Sequence, residues 1–182
     1  MNINSFVNIT ARAWSLPILA KLHDGVAGRQ APLLTATGAG RSAFGQSLAH
    51  LMELELLERN PGHGHPLRPE FRLTDTGRVA AELAHQVYSQ AKVADQDLLR
   101  KSWTLPVLTA LHSTGQFSAI RRGLPRITDR ALSQSLKLLE DRRWVQRGIE
   151  ENSRPLRPVY RAVNAGGVIS DITGAAVRFQ TP

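Results

Sequence analysis

The stretch ITDRALSQSLKLLE, residues 127–140, decides the fold. Its leucines Leu132, Leu136 and Leu139 stand at i, i+4 and i+7, the spacing of one face of an α-helix. The opposite face of that helix carries the polar and basic side chains Arg130, Ser133, Gln134 and Lys137. The pattern therefore predicts an amphipathic helix that packs its leucines into a core and presents a basic face outward.

Three blocks of sequence recur in the same order, 88 or 89 residues apart. They are WSLPIL and WTLPVL (14–19 and 103–108), QSL and QSL (46–48 and 134–136), and PLRPEFR and PLRPVYR (66–72 and 155–161). Three blocks in one order indicate an internal duplication with a long repeat, which is typical of two like domains rather than a solenoid. We place a first domain at residues 1–91 and a second at 92–182.

Both copies predict the same order of elements. A first helix starts at Ser15 or Thr104, which are favourable N-cap residues, with a proline in the first turn. The second amphipathic helix lies near 42–55 in one copy and 130–143 in the other. Short β-like stretches then flank a Gly- and Pro-rich tip and predict a hairpin, 56–59 with 71–73 and 144–147 with 159–163.

Closing helices are predicted over 78–91 and 168–179, and the linking segment 87–100 is expected to continue as helix. Helix, short helix, helix, hairpin, helix is the order of a winged helix-turn-helix domain. The predicted fold class is mainly α with small β-hairpin wings, arranged as two tandem winged helix-turn-helix domains that form a pseudo-dimer.

Composition excludes several functional classes. The chain has no cysteine, so disulfides, thiolate metal sites and cysteine nucleophiles are ruled out. No apolar run approaches the ~18 residues of a membrane span, and residues 1–11 lack the layout of a signal peptide. We therefore expect a cytoplasmic protein with no membrane partner.

The histidines predict no catalytic, cofactor or metal site. His23 and His112 occupy equivalent repeat positions, which favours a shared structural role. His63 and His65 would bind a metal only weakly without a third ligand, so a solvated loop is the favoured interpretation. No phosphate-binding loop or hydrolase motif is present, and an enzyme is not expected.

Basic charge is concentrated in the second half of the chain. The whole sequence carries 23 Lys and Arg against 15 Asp and Glu, a net charge of +8. Residues 1–91 hold 8 basic and 7 acidic side chains, whereas residues 92–182 hold 15 and 8. An uneven basic surface favours a polyanionic partner over general solubility charge, and double-stranded DNA is the partner that fits this fold.

The second copy carries the tryptophan-led helix WTLPVL (103–108), the segment FSAI (117–120), the recognition stretch 127–140 and a strand-to-helix passage over 160–166. In these motifs it resembles the HxlR family of bacterial regulators. The first copy matches less closely in its second helix but well over EFRLTDTG (70–77). Family members usually hold one such domain and pair through terminal helices, and many carry a sensing cysteine. Two copies on one chain imply a covalent pseudo-dimer, and thiol sensing does not carry over.

The resemblance implies a sequence-specific duplex DNA-binding transcription regulator, a repressor or an activator, whose second helices read the major groove and whose wings reach the backbone or minor groove. The predicted DNA-contacting residues are, in the first copy, Arg41, Ser42, Gln46, His50 and Arg68, and in the second, Arg121, Arg122, Arg126, Thr128, Arg130, Ser133, Gln134, Lys137, Arg154 and Arg157. The charge distribution predicts that the second domain supplies most phosphate contacts.

One other class of function stays open. A winged-helix module can bind a protein or sequester a small molecule without reading DNA, and the near-neutral first copy favours that interpretation. A homodimer and a small-molecule effector held between the domains also remain open as partners.

Overall fold

The computed structural model describes residues 1–60, 69–150 and 157–179, and within these ranges the chain forms two compact units. One unit is Arg12–Ser89. The other combines Met1–Ala11 with Gln90–Pro182. The chain therefore passes between the units twice, at residues 11–12 and again at residues 89–90.

The unit Arg12–Ser89 contains three helices, a hairpin and a closing helix. They are α2 (Ser15–His23), α3 (Gln30–Thr37), α4 (Arg41–Glu53), β1 (Leu57–Asn60), β2 (Glu70–Leu73) and α5 (Asp75–Gln90). Gly38 is the C-cap of α3, and its φ of 67° suits a residue without a Cβ. Phe44 and Leu51 of α4 are fully buried and form the core with Ile18 and Leu33.

The other unit repeats this order after three additional short elements. These are α1 (Ile3–Thr10), a 3-10 turn (Val93–Asp95) and α6 (Gln96–Leu99). The repeated elements are α7 (Thr104–Leu111), α8 (Phe117–Gly123), α9 (Asp129–Asp141), β3 (Val145–Glu150), β4 (Arg157–Ala162) and α10 (Asn164–Ala176). Helix α7 is buried along its whole length because α1, α8, α9 and α10 all pack against it.

Each hairpin is attached to its unit by an equivalent backbone hydrogen bond. Both are antiparallel, β1 with β2 and β3 with β4. Phe71 N donates to Gly28 O at 2.6 Å, and Tyr160 N donates to Gly115 O at 2.8 Å. Each second strand is thus held by the loop before the short helix of its unit. The wing tips lie outside the described residues.

The closing helices begin earlier than predicted, at Asp75 and Asn164 instead of 78 and 168. Gly77 and Gly166 lie in the first turns of these helices and are needed for close packing. A Cβ on Gly77 would overlap the Leu56 carbonyl oxygen, and one on Gly166 would overlap that of Trp144. Each helix therefore starts against the residue that leads into its own wing.

Three other predictions need correction. Ser15 and Thr104 are the first helical residues rather than N-caps, because preceding turns already place their amides in hydrogen bonds to Arg12 and Lys101. The segment 87–100 is not a continuous helix: the extended backbone of Lys92 (ψ 152°) breaks it. Residues 1–11, predicted as part of the first domain, group with Gln90–Pro182 instead, because Ile3, Phe6 and Ile9 of α1 are buried in that unit.

None of the helices in the described ranges combines the length and apolar character that a membrane span requires.

Candidate nucleic-acid interface

Helix α9 separates its two faces as the leucine spacing predicts. Leu132, Leu136 and Leu139 are buried, with no more than 2% of their surface exposed. The outward side chains Arg130, Ser133, Gln134 and Lys137 are all exposed. The helix thus offers two cations, an amide and a hydroxyl on one accessible face, a set that matches base edges and phosphates.

The start of α9 is fixed by two side-chain contacts. Thr128 is the N-cap, and its Oγ1 accepts a hydrogen bond from Ala131 N at 3.2 Å. Arg121 Nε donates to Asp129 Oδ1 at 2.9 Å, which ties α8 to the first turn of α9. Thr128 and Arg121 therefore position the helix, a role that the sequence analysis did not assign to them.

Two further arginines precede α9 and are exposed. Arg122 lies in the last turn of α8, and Arg126 lies in the turn between the helices. Arg126 adopts a φ of 62°, in the left-handed region that a branched or bulky residue rarely occupies. That backbone conformation lets Ile127 return to the core, where it is fully buried.

The wing of the same unit carries more basic side chains than the sequence analysis singled out. Arg157 is exposed at the first position of β4, while Arg154 lies outside the described residues. Arg147 and Arg161 are also exposed on this hairpin and were not predicted. A signal for them is present in the sequence, since both are basic residues within the predicted β stretches 144–147 and 159–163.

A shallow depression of about 480 Å³ lies at the base of this hairpin. Arg143, Arg147 and Gln146 line it, together with Glu140 and the first residue of α10, Asn164. The other unit has Glu55, Glu58 and Asp75 at the positions equivalent to Arg143, Gln146 and Asn164. The two units therefore differ in charge at matching positions of the same fold.

Helix α4 offers a weaker version of the α9 face. Arg41, Ser42 and Gln46 are exposed, with Ala43 and Ala49 beside them. His50 is half-buried, and its Nδ1 lies 3.8 Å from Glu53 Oε2. Arg68, the predicted wing contact, lies outside the described residues. This face therefore has one arginine where α9 has an arginine and a lysine.

The net charge of the units matches this difference. Residues 12–89 contain 8 basic and 7 acidic side chains, and the remaining residues contain 15 and 8. The unit that contains α9 therefore holds +7 of the total +8.

A cluster at the end of α2 is structural. His85 Nδ1 lies 2.6 Å from Asp24 Oδ1, and the rings of His23 and His85 are tilted by 34° with centroids 4.8 Å apart. Burial opposes ionisation of Asp24, but hydrogen bonds from Lys21 and His85 outweigh it and lower the pKa of that carboxyl. The cluster joins α2 to α5.

Across the part of the chain that the structure describes, no group of three or more His, Asp or Glu side chains is arranged to hold a metal ion.

Three helices closed by a two-stranded antiparallel hairpin, with an exposed polar face on the third helix, define the winged helix-turn-helix class. The family model of the HxlR-like helix-turn-helix matches residues 98–180. The chain is also 33% identical over 86 residues to the uncharacterized HTH-type transcriptional regulator YvaP of Bacillus subtilis (strain 168), which is 47% of this chain and 79% of that protein. The chain belongs to the HxlR-like helix-turn-helix family. No solved structure gives a significant match.

Proposed function

We propose that this protein is a cytoplasmic transcription regulator that binds double-stranded DNA in a sequence-specific way through α9. The observation that carries the proposal is the division of α9 into a buried leucine face and an exposed face with Arg130, Gln134 and Lys137. Membership of the family and similarity to a protein named as a transcriptional regulator support it. We expect no catalytic activity.

Each exposed side chain has a role that follows from its chemistry. Arg130 in the first turn of α9 suits the O6 and N7 atoms of guanine, and Gln134 one turn later suits adenine. Ser133 and Lys137 suit phosphate oxygens, and Arg122 and Arg126 would follow the same strand of the backbone. Arg157, with Arg147 and Arg161, would bring the wing to the minor groove or its phosphates.

We further propose that the chain is a covalent pseudo-dimer of two winged helix-turn-helix domains. Support comes from the repeated element order and from the equivalent bonds Phe71 N to Gly28 O and Tyr160 N to Gly115 O. One chain would then span two half-sites, with α9 as the stronger reader and α4 contributing through Arg41, Ser42, Gln46 and His50. Association of two chains would extend the site further.

Selection from a library of random DNA duplexes tests the proposed function. We expect a defined motif to be enriched, and the logarithm of the binding constant to fall steeply with the logarithm of salt concentration. Neutralising about six phosphates gives a slope near −5. A flat slope with no enriched motif would contradict DNA binding.

A second candidate is a protein-interaction or ligand-sequestering module. The specific observation that favours it is the near-neutral charge of residues 12–89, with acidic Glu55, Glu58 and Asp75 where the other unit is basic or neutral. The same selection distinguishes the two functions, because such a module would enrich no motif and would instead retain a protein partner or a small-molecule effector.

A further inference from the structure

A carboxylate stands at the first position of the helix that carries the candidate reading face. Asp129 is the first residue of α9, directly before Arg130, and both side chains are exposed. In this fold the N-terminal residues of the second helix are the ones that approach base edges. Asp129 therefore lies where base contacts are expected, yet its charge repels the phosphates on either side of the groove.

The repeated fold does not require an acid at this position. Helix α4 has the same length of 13 residues, and its first residue, at the position equivalent to Asp129, is the exposed Arg41. The cap of α9 is supplied by a different residue, since Thr128 Oγ1 accepts from Ala131 N. A requirement of the fold therefore does not account for the carboxylate.

One oxygen of this carboxylate is held and the other is available. Arg121 Nε donates to Asp129 Oδ1 at 2.9 Å. Among the described residues, none forms a hydrogen bond or ion pair with Asp129 Oδ2. The Asp129 side chain is 77% exposed, so a ligand can reach it from solution. Arg121 thus restricts the rotation of the carboxylate and leaves one hydrogen-bond acceptor unused.

The chemistry of a carboxylate favours one base of the four. In the major groove cytosine offers only a donor, its N4 amino group, whereas guanine and thymine offer acceptor atoms that a carboxylate repels. Adenine offers an amino group beside the N7 acceptor, which weakens the contact. Neighbouring bases of one strand are about 3.4 Å apart, so two consecutive side chains in the first turn of a helix reach the same or adjacent base pairs.

We propose that Asp129 is a specificity-determining residue that accepts a hydrogen bond from the N4 amino group of a cytosine. That cytosine lies in the base pair read by Arg130 or in the one beside it. Arg121 is a positioning residue, which holds the carboxylate through Oδ1 and does not itself select a base. The inference rests on the proposed function and adds selectivity to it, because the negative charge lowers attraction to every duplex and cytosine alone offsets the loss.

Replacement of every base pair of the selected duplex, one position at a time, tests the inference. Equilibrium binding of the whole chain is measured at one salt concentration for each of the four base pairs at each position. The wild-type protein should prefer cytosine by about fivefold or more at one position. That position should lie within one base pair of the guanine whose preference is lost in Arg130→Ala.

Asp129→Asn should reduce the cytosine preference to about twofold or less and leave the preferences at other positions unchanged. The amide accepts from an amino group through its oxygen, but it also donates to acceptors on the other bases and no longer rejects them. Binding to duplexes with the wrong base should therefore gain most. Asp141→Asn removes an exposed carboxylate at the other end of α9 and is the matched control, which should keep the wild-type preferences.

Arg121→Ala separates selectivity from total charge. It leaves the carboxylate without its neighbouring cation and free to rotate, so it should weaken binding to all duplexes and also lower the cytosine preference. Asp129→Asn, by contrast, should strengthen binding while it lowers the same preference. A purely electrostatic role would move affinity in opposite directions in the two variants and leave the cytosine preference intact in both, which would overturn the inference.

Two further outcomes would overturn the inference and leave the proposed function standing. One is a wild-type motif with no preferred cytosine within one base pair of the position that Arg130 reads. The other is an equal loss of preference at every position in Asp129→Asn, because Asp129 would then act through the placement of the whole helix. Absence of any enriched motif together with a flat salt dependence would overturn the proposed function itself.

Discussion

Arg121 Nε and Asp129 Oδ1 are 2.9 Å apart, so an arginine next to the candidate DNA-reading helix is already paired with a carboxylate on that helix. The pair is accessible, with side chains 42% and 77% exposed. Asp129 also adds negative charge at the helix end that would approach phosphates. The pair thus stabilises the position of α9 relative to α8, while the negative charge of Asp129 weakens attraction to DNA phosphates.

Replacing Asp129 with Asn should strengthen DNA binding at low salt. The change removes one repulsive charge and releases Arg121 to reach a phosphate, so the salt slope should steepen by up to about 1. Folding stability should fall by less than about 1 kcal/mol, as is usual for an exposed pair. Fluorescence anisotropy at several salt concentrations measures the slope. Asp141→Asn, at the far end of α9, should change it less, and weaker binding by Asp129→Asn would contradict the assignment.

Charge reversal on α9 should be more damaging than on α4. Arg130→Glu or Lys137→Glu should weaken binding to the selected duplex by at least about tenfold, ~1.4 kcal/mol. Arg41→Glu reverses the charge of the arginine on the equivalent face of α4 and should cost less. Equal losses in the same titration would show that the two helices contribute alike.

Neighbouring glycines of α10 should respond in opposite directions to alanine. Gly166→Ala places a methyl group against the Trp144 carbonyl and should destabilise the protein by about 1–3 kcal/mol or more. At Gly167 the nearest atom is the Ala162 carbonyl oxygen at 3.5 Å, an ordinary contact, so alanine should stabilise by about 0.5–1 kcal/mol. Urea denaturation measures both, and stabilisation by Gly166→Ala would disprove the packing argument.

Two phenylalanines should report on different units. Phe6 of α1 and Phe44 of α4 are both buried, at 1% and 0% exposure, and truncation to alanine should cost about 3–5 kcal/mol in each case. Hydrogen exchange should show that Phe6→Ala weakens protection within 90–179, whereas Phe44→Ala weakens it within 12–89. Loss of protection in 12–89 for Phe6→Ala would show that α1 packs with the unit Arg12–Ser89 instead.

Acid should abolish the contribution of Asp97 to stability. Its pKa in the folded protein lies below the ordinary 3.8, so its stabilising effect is complete above that value and is lost as pH falls through the folded pKa. The stability difference between wild type and Asp97→Asn should therefore shrink from pH 5 towards pH 2.5. Burial opposes ionisation of Asp97, but Arg142, whose Nη2 donates to Asp97 Oδ2 at 2.9 Å, outweighs it, so in an Arg142→Ala background the pH dependence of that difference should largely disappear. Persistence there would mean that another group holds the carboxylate ionised.

The sequence predicted local structure well where one face of a helix or one strand pair carries the signal. The leucine spacing of α9 located its buried and exposed faces, and the β-like stretches at 56–59 and 144–147 located the wings. The starts of α5 and α10 were predicted too late, because Gly77 and Gly166 make a close contact with residues 56 and 144 that cannot be seen in a local pattern.

Contacts between distant segments could not be predicted from the sequence. Asn2 caps α1 by accepting from Ser5 N, and Ile3, Phe6 and Ile9 recur every third residue, so a helix signal was present. Nothing local reveals that this helix packs on α7. In the same way, no turn residue marks the break at Lys92, and Asp95 just after it pairs with Arg142, which lies 47 residues further along. The DNA-contacting residues themselves remain predictions.

The packing of α1 on α7 has a consequence for synthesis on the ribosome. Helix α1 is translated before α7, and the whole unit Arg12–Ser89 is made between them. At ~5–20 residues per second, the apolar face of α1 waits on the order of 5–20 s for its partner. During that interval the intervening unit has time to fold. The apolar face of α1 therefore stays uncovered on the nascent chain until Thr104–Leu111 emerges.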